Sequence, residues 1–414
     1  AILAQLYHPV SATTERCRHF IARQRSLVRF RDAPWRAMAS EPVLSFATVD
    51  QCFDVRFHPT EPVLAASTIN GAVELHRFDT GARSSERLRS LKCHEESCRA
   101  ARFMTGDGGA ARLLSTSADC HVVLTDPESS ERLWRAKLEA AGSALLPMAD
   151  GHCFAVGDDD GAISIFDVRK NKPVSEFSES SDFVSDMDMG TDGYSLCVTS
   201  GDGTLAVYDV RKTGEKGLVA MSDFLEDEYL SVAVVRDGSK VICGSQLGVL
   251  AIFTWGDFGD MKTRIRGHPE SIDTVVKVAE DGILTGSSDG HIRVVSVHSK
   301  TLGNGILGLF GEHGDYPVEC LSLSPDGGIV ASASPHSQPA VRLWSTEPAH
   351  RLLSGKSAVA GASDAAEEKD DAKDSSDDSE APAKKPKRKK RRKGAHGVKM
   401  DTAAARAGCF FSGL

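Results

Sequence analysis

Across residues 41–354, apolar and polar positions alternate in short runs of four to eight, and no stretch keeps the spacing of an amphipathic helix. Phe53-Asp-Val-Arg-Phe-His-Pro59, Cys320-Leu-Ser-Leu-Ser-Pro-Asp-Gly327 and Val241-Ile-Cys-Gly-Ser245 are runs of this kind, bounded by Gly, Pro or Asp. Each reads as a short β-strand ending in a turn. Two runs are near copies: Asp160-Gly-Ala-Ile-Ser-Ile-Phe-Asp-Val-Arg169 and Asp202-Gly-Thr-Leu-Ala-Val-Tyr-Asp-Val-Arg211.

Aligning the turn residue of these copies along the chain gives Gly71, Cys120, Gly161, Gly203, Gly248, Gly290 and Pro339, spaced 41–49 residues apart. Five residues after each lies His76, Thr125, Phe166, Tyr208, Phe253, Val295 or Trp344. A small-residue strand precedes each turn, as in Leu64-Ala-Ala-Ser67 and Ile283-Leu-Thr-Gly-Ser287. A period of 40–45 residues with four strands per unit predicts an all-β, seven-bladed propeller, because one blade cannot bury both faces and a ring of seven can. The turn glycines suit backbone at positive φ, and the preceding Asp can bond its own backbone. The small-residue strands are expected near the narrow axis, and the residue at each strand end is expected between neighbouring blades.

Charge divides the chain into three. Residues 1–40 carry +5, residues 41–354 carry −18 and residues 355–414 carry +4, within a net −9. An acidic centre repels phosphate backbones and suits basic partners. Ten cysteines without a C-x-x-C pair argue for reduced thiols, with Cys93, His94 and Cys98 too sparse for a zinc knuckle. No run of 18 apolar residues exists, so no membrane helix is expected.

With Gly267-His268 opening one repeat and Leu343-Trp344-Ser345 closing another, the chain resembles the WD-repeat family. That resemblance implies a structural tetrad of His, turn Asp, Ser/Thr and Trp. His268, Ser287 and Asp289 fit it with Val295 in place of Trp. His94, Ser115 and Asp119 fit it with Thr125, and His313 fits with Trp344, Pro335 and His336 occupying the turn. Ile252-Phe-Thr-Trp-Gly-Asp-Phe-Gly259, then Glu270-Ser-Ile-Asp273, and the terminal Phe410-Phe-Ser-Gly-Leu414 are similar to one nucleolar branch of that family. It implies a role in ribosomal RNA production and large-subunit maturation.

The ends differ from the repeats. Residues 1–40 are Arg-rich and acid-poor, either transit-like or upstream of a start at Met38. Val43-Leu-Ser-Phe-Ala-Thr48 can supply the strand that closes the ring, with His350-Arg-Leu-Leu-Ser354 as its rival. Residues 355–414 are low-complexity, acidic over 364–380 and basic over 384–393, a composition that predicts disorder. Lys384, Lys385, Lys387, Arg388, Lys389, Lys390, Arg391, Arg392 and Lys393 read as a nuclear or nucleolar address or an arm that contacts pre-rRNA. Ser375 has the acidic context of a phosphosite.

Catalytic signatures fail on context. Gly286-Ser-Ser-Asp-Gly290 matches G-x-S-x-G but is followed by a strand rather than a helix. Gly303-Asn-Gly-Ile-Leu-Gly308 matches G-x-G-x-x-G without a βαβ unit. Asp158-Asp-Asp160 reads as a solvated turn. No catalytic, cofactor-binding or metal-ligating residue is assigned. The expected function is a nucleolar scaffold that docks ribosome-assembly and other basic proteins on the propeller rims, without membrane partners. The alternative is a substrate receptor of a cullin-RING ubiquitin ligase. Phe166-Asp167-Val168-Arg169 and Tyr208-Asp209-Val210-Arg211 resemble the aromatic-Asp-x-Arg element that contacts the ligase adaptor, provided that Arg169 and Arg211 point outward and unpaired.

Overall fold

The computed structural model describes residues 40–355 apart from 171, 298–304 and 339, without the side chains of 107 and 215. The described residues form seven four-stranded antiparallel sheets. Six are continuous in sequence, over 52–92, 98–137, 142–177, 184–221, 229–266 and 272–312. We number these blades 1 to 6. Blade 7 joins three strands from 320–345 to a fourth, Leu44–Phe46, from the other end of the chain. Its register is Leu44↔Leu343, Ser45↔Arg342 and Phe46↔Val341. The rival segment instead lies in a short helix, Glu347–Leu353, which the alternating pattern did not announce. It begins at Glu347-Pro348, with Pro in the first turn where its missing N–H costs nothing.

The turn residues behave as the repeat demands. Gly71, Gly161, Gly203, Gly248 and Gly290 lie at φ +75° to +84°, and Cys120 takes the same left-handed region at +58°. Pro339 is outside the described residues. A Cβ on Gly161 would lie 2.6 Å from the Asp182 carbonyl oxygen and 2.7 Å from that of Ser180, so the loop that leaves blade 3 rests directly on this turn. The preceding carboxylates close the turns: Asp202 Oδ1 accepts the Thr204 N–H at 3.0 Å, and Asp119 Oδ1 accepts that of His121 at 3.1 Å.

The small-residue strands are one place out from where they were expected. Each is the second strand of its blade, and the first strand lines the axis. Small residues are needed because the first strand of the next blade packs on them. A Cβ on Gly157 would meet Val184 Cγ1 at 2.4 Å, and one on Gly244 would meet Ile272 Cγ2 at 2.8 Å.

The residues five after each turn are all buried, from 0 to 4% exposed, and sit between blades as expected. The previous blade's outer strand or the loop leaving it covers them. Phe46 stacks on His76 at 4.7 Å, Phe177 on Tyr208 at 4.6 Å, Phe310 leans on Trp344 at 6.1 Å, and Trp134 meets Phe166 edge-on at 5.5 Å. Ile265 shares a core cluster with Val295, and Cys93 Sγ lies 3.8 Å from Thr125 Oγ1.

Polar side chains join the axial strands at most of the junctions. Asp54 accepts the Ala101 N–H (3.0 Å), Ser143 donates to Val184 O (2.6 Å), and Ser231 donates to Ile272 O (3.2 Å). Asp186 and Asp188 accept from Val232 N (3.0 Å) and Val234 N (2.7 Å), and Thr274 accepts from Leu321 N (3.2 Å). Arg56 donates to Leu321 O (2.8 Å) across the closure and pairs with Asp54 (3.3 Å).

Two substitutions test the turn and junction assignments. Trp344→Ala removes a side chain 1% exposed and should cost about 3–5 kcal/mol in denaturant unfolding. Gly161→Ala should cost at least about 1 kcal/mol, whereas Cys120→Gly should be neutral or stabilise by up to about 1 kcal/mol. Equal effects at 120 and 161 would refute the shared turn geometry.

Candidate functional site: an acidic rim

Strands alternate in direction, so the connections fall on two rims. One rim carries the loops between blades and the turns between second and third strands. The other carries the remaining turns. The connections of the first rim contain Asp50, Glu95, Glu96, Asp119, Glu139, Asp159, Asp160, Glu179, Asp182, Asp202, Asp223, Glu226, Asp227, Glu228, Glu270, Asp289, Asp315 and Glu319, eighteen carboxylates, with no Lys or Arg. The connections of the far rim hold fourteen acids and ten Lys or Arg. The negative charge seen in the sequence is thus sorted onto one face. Such a face focuses a field that attracts cations from beyond a Debye length.

The same loops carry Val49, Ile69, Phe224, Leu247 and Tyr316, five of the eight large apolar residues exposed on the described surface. Charge with scattered apolar anchors is the composition of a protein-binding surface.

Some of these acids have structural work. Asp119 binds His94 Nδ1 at 3.1 Å, and His94 Nε2 is 2.9 Å from Ser115 Oγ. The three form a Ser-His-Asp array, but the His94 and Ser115 side chains are sealed inside the blade, so no substrate reaches the hydroxyl. Burial pushes the His94 pKa down despite Asp119. In blade 6 the expected trio is different. His268 Nε2 bonds Thr285 Oγ1 at 2.8 Å, not Ser287, because Thr285 is the residue of that strand facing the histidine. Asp289 turns instead to buried Arg293 and to His291; despite its burial, their hydrogen bonds hold it well below the usual carboxylate range. In blade 7 His313 Nε2 and Trp344 Nε1 both reach Ser332 Oγ, at 2.7 and 2.8 Å, while His336 at the turn is exposed and faces Gln51.

Other sequence candidates resolve as local structure. Ser288 donates to Asp273 at 2.7 Å within a strand-turn-strand, so the G-x-S-x-G match is no nucleophile elbow. Asp158 accepts the Asp160 and Ala162 N–H groups, closing its turn. Gly303 and Asn304 are outside the described residues, and a strand, Ile306–Glu312, follows Gly305. Among the described residues no group of three His, Cys, Asp or Glu is placed to hold a metal ion, the eight cysteines are free thiols, and no helix is long and apolar enough to cross a membrane.

Arg169 and Arg211 project from the far rim with half or more of each side chain exposed, yet neither is unpaired. Arg169 Nε and Nη2 both reach Asp167 at 2.8 Å; Arg211 grips Asp209 in the same way and lies over the Tyr194 ring at 3.5 Å. The Arg211 hydrogen bonds hold the Asp209 carboxyl far below its ordinary value. Lys384 to Lys393 and Ser375 are outside the described residues.

A sequence profile of the family WDR55 matches residues 44–348, which is the whole ring. The chain belongs to this family. It is 37% identical over 320 residues to WD repeat-containing protein 55 of Arabidopsis thaliana, covering 76% of this chain and 86% of that one. It is 30% identical over 319 residues to the Mus musculus protein of the same name, covering 76% of each chain. It is 35% identical over 288 residues to WD repeat-containing protein JIP5 of Coprinopsis cinerea, covering 66% of this chain and 67% of that one. The WDR55 family match thus confirms the propeller reading made from the repeats.

Half-buried Glu319 was missed by sequence reasoning. Burial, helped by Asp273, pushes its pKa up to about 7. The folded state therefore holds this proton to higher pH than the unfolded chain. Its stabilising contribution is complete below about pH 4.5 and is lost as pH rises towards 7. Glu319→Gln should raise stability at pH 8 by on the order of 2 kcal/mol, the gain shrinking to nothing near pH 4.5 in melts across that range. A pH-independent difference would show that Glu319 is ordinarily ionised.

Proposed function

We propose that this chain is a non-enzymatic nucleolar scaffold in ribosome biogenesis, acting in rRNA production and large-subunit maturation. Its acidic rim docks basic ribosome-assembly proteins. The observation that carries this reading is the eighteen-to-none division of charge on that rim. Ribosomal and assembly proteins are rich in Lys and Arg because they contact phosphate, and a rim without a single Lys or Arg attracts them without discrimination against any approach angle. Membership of the WDR55 family agrees with the reading. The basic block 384–393 supplies the nucleolar address and contacts to pre-rRNA phosphates. The local pairing of Arg169 and Arg211 favours a structural role for these residues over contact with a ligase adaptor.

Reversing four exposed rim charges that close no turn tests the docking role: Glu95→Lys, Glu96→Lys, Glu270→Lys and Asp315→Lys together. The variant should melt like the wild type. In affinity purification with mass spectrometry it should lose the large-subunit assembly factors that the wild type recovers. Recovery of the same factors by both proteins would sink the proposal. Deleting 384–393 should release a fluorescent fusion from the nucleolus at unchanged melting temperature; an unchanged nucleolar signal would place the address elsewhere.

A further inference from the structure

One blade junction is incomplete. In blades 3, 5 and 7 the residue paired two places beyond the turn residue is Phe177, Ile265 and Phe46, opposite Ile163, Leu250 and Val341. Each covers the buried third-strand residue of the following blade. Blade 4 has Ser222 at this place. Its N–H donates to Leu205 O at 2.8 Å, and its hydroxyl accepts the Leu205 N–H at 2.9 Å, so the side chain folds back on its own sheet. Phe253 of blade 5 therefore lacks the cover that its counterparts receive. It lines a cavity of about 310 Å³ on the outer flank of the ring, where loop 222–228 meets loop 255–262.

The other walls are Leu225 and Met261, the carboxylates of Asp223 and Asp260, and the cations Lys262 and Arg264. Lys262 is neutralised by Asp257 at 2.9 Å. Phe224, in the same loop, is 67% exposed, the most exposed large apolar side chain described. Glu226, Asp227 and Glu228 continue that loop onto the acidic rim. An apolar cavity floored by an aromatic and bordered by carboxylates fits an apolar anchor with flanking cations.

We propose that this cleft takes one aromatic or branched aliphatic side chain from an extended, Lys/Arg-flanked segment of a partner protein. The proposal rests on the reading that the acidic rim docks basic proteins, and it assigns the anchor point. The inserted side chain does for Phe253 what Phe177 does for Tyr208. The flanking cations lie against Asp223, Asp260 and the 226–228 run.

The probe is a labelled seven-residue peptide with a central Phe and three Lys or Arg on each side, titrated into the full chain by fluorescence anisotropy. Replacing its Phe by Ala should weaken binding about tenfold or more. Gly259→Trp fills the cavity from its wall; a Cβ there meets nothing within 4 Å, so the fold should tolerate it. This variant should bind the Phe peptide at least about tenfold more weakly than the wild type, at unchanged melting temperature. If Trp lowers the melting temperature, Gly259→Met replaces it. Glu226→Lys with Asp260→Lys should weaken binding of both peptides. Wild-type affinity in a folded Gly259→Trp protein would overturn the cleft and leave the rim reading standing. Absence of any saturable binding by the wild type would remove both. A tenfold gain in affinity on deleting Cys409–Leu414 would make the chain's own Phe410-Phe411 the occupant and overturn the partner assignment.

Discussion

The structure depends on the closure of the ring by three residues. Leu44–Phe46 pairs with Val341–Leu343, about three hundred residues away in sequence. Without that strand the last blade has an open edge, and His76 loses the Phe46 ring stacked on it. Closing so long a loop costs entropy that three backbone pairings alone do not offset. The axial bonds matter for this reason. Arg56 to Leu321 and Asp54 to Ala101 fasten blades 7, 1 and 2 from inside while the strand fastens them from outside.

The closure explains why the acidic residues fall into two populations. Asp54, Asp186 and Asp188 face the axis and spend their lone pairs on backbone N–H groups of the next blade. Asp119 and Asp202 close turns. Glu95, Glu96, Glu226, Glu270 and Asp315 are exposed on the rim, away from this stapling, and their charge is available to an approaching partner. Net charge alone does not separate the two groups; the strand boundaries do.

The sequence made the blade count, the turn residues and the junction residues legible because each follows from a local rule. A turn at positive φ wants glycine, and a strand between two sheets wants small residues on one side. It misplaced the small-residue strands because their packing partner lies in the next repeat, and one-dimensional periodicity does not tell the first strand from the second. His268 was matched to Ser287 because Ser287 shares its spacing with neighbouring repeats; the side of the strand facing the histidine belongs to Thr285. The rim was invisible as a surface because its carboxylates are spread over fourteen connections. None of those connections is unusual alone.

Each junction has its own matched pair: Phe46 with His76, Phe177 with Tyr208, Phe310 with Trp344, Cys93 with Thr125. These pairs are not interchangeable in size or polarity. Losing or duplicating one internal repeat would bring an outer strand against a partner shaped for another, opening a void or forcing an overlap. The divergence that makes the repeats hard to recognise in the sequence therefore also fixes their number and order in the ring.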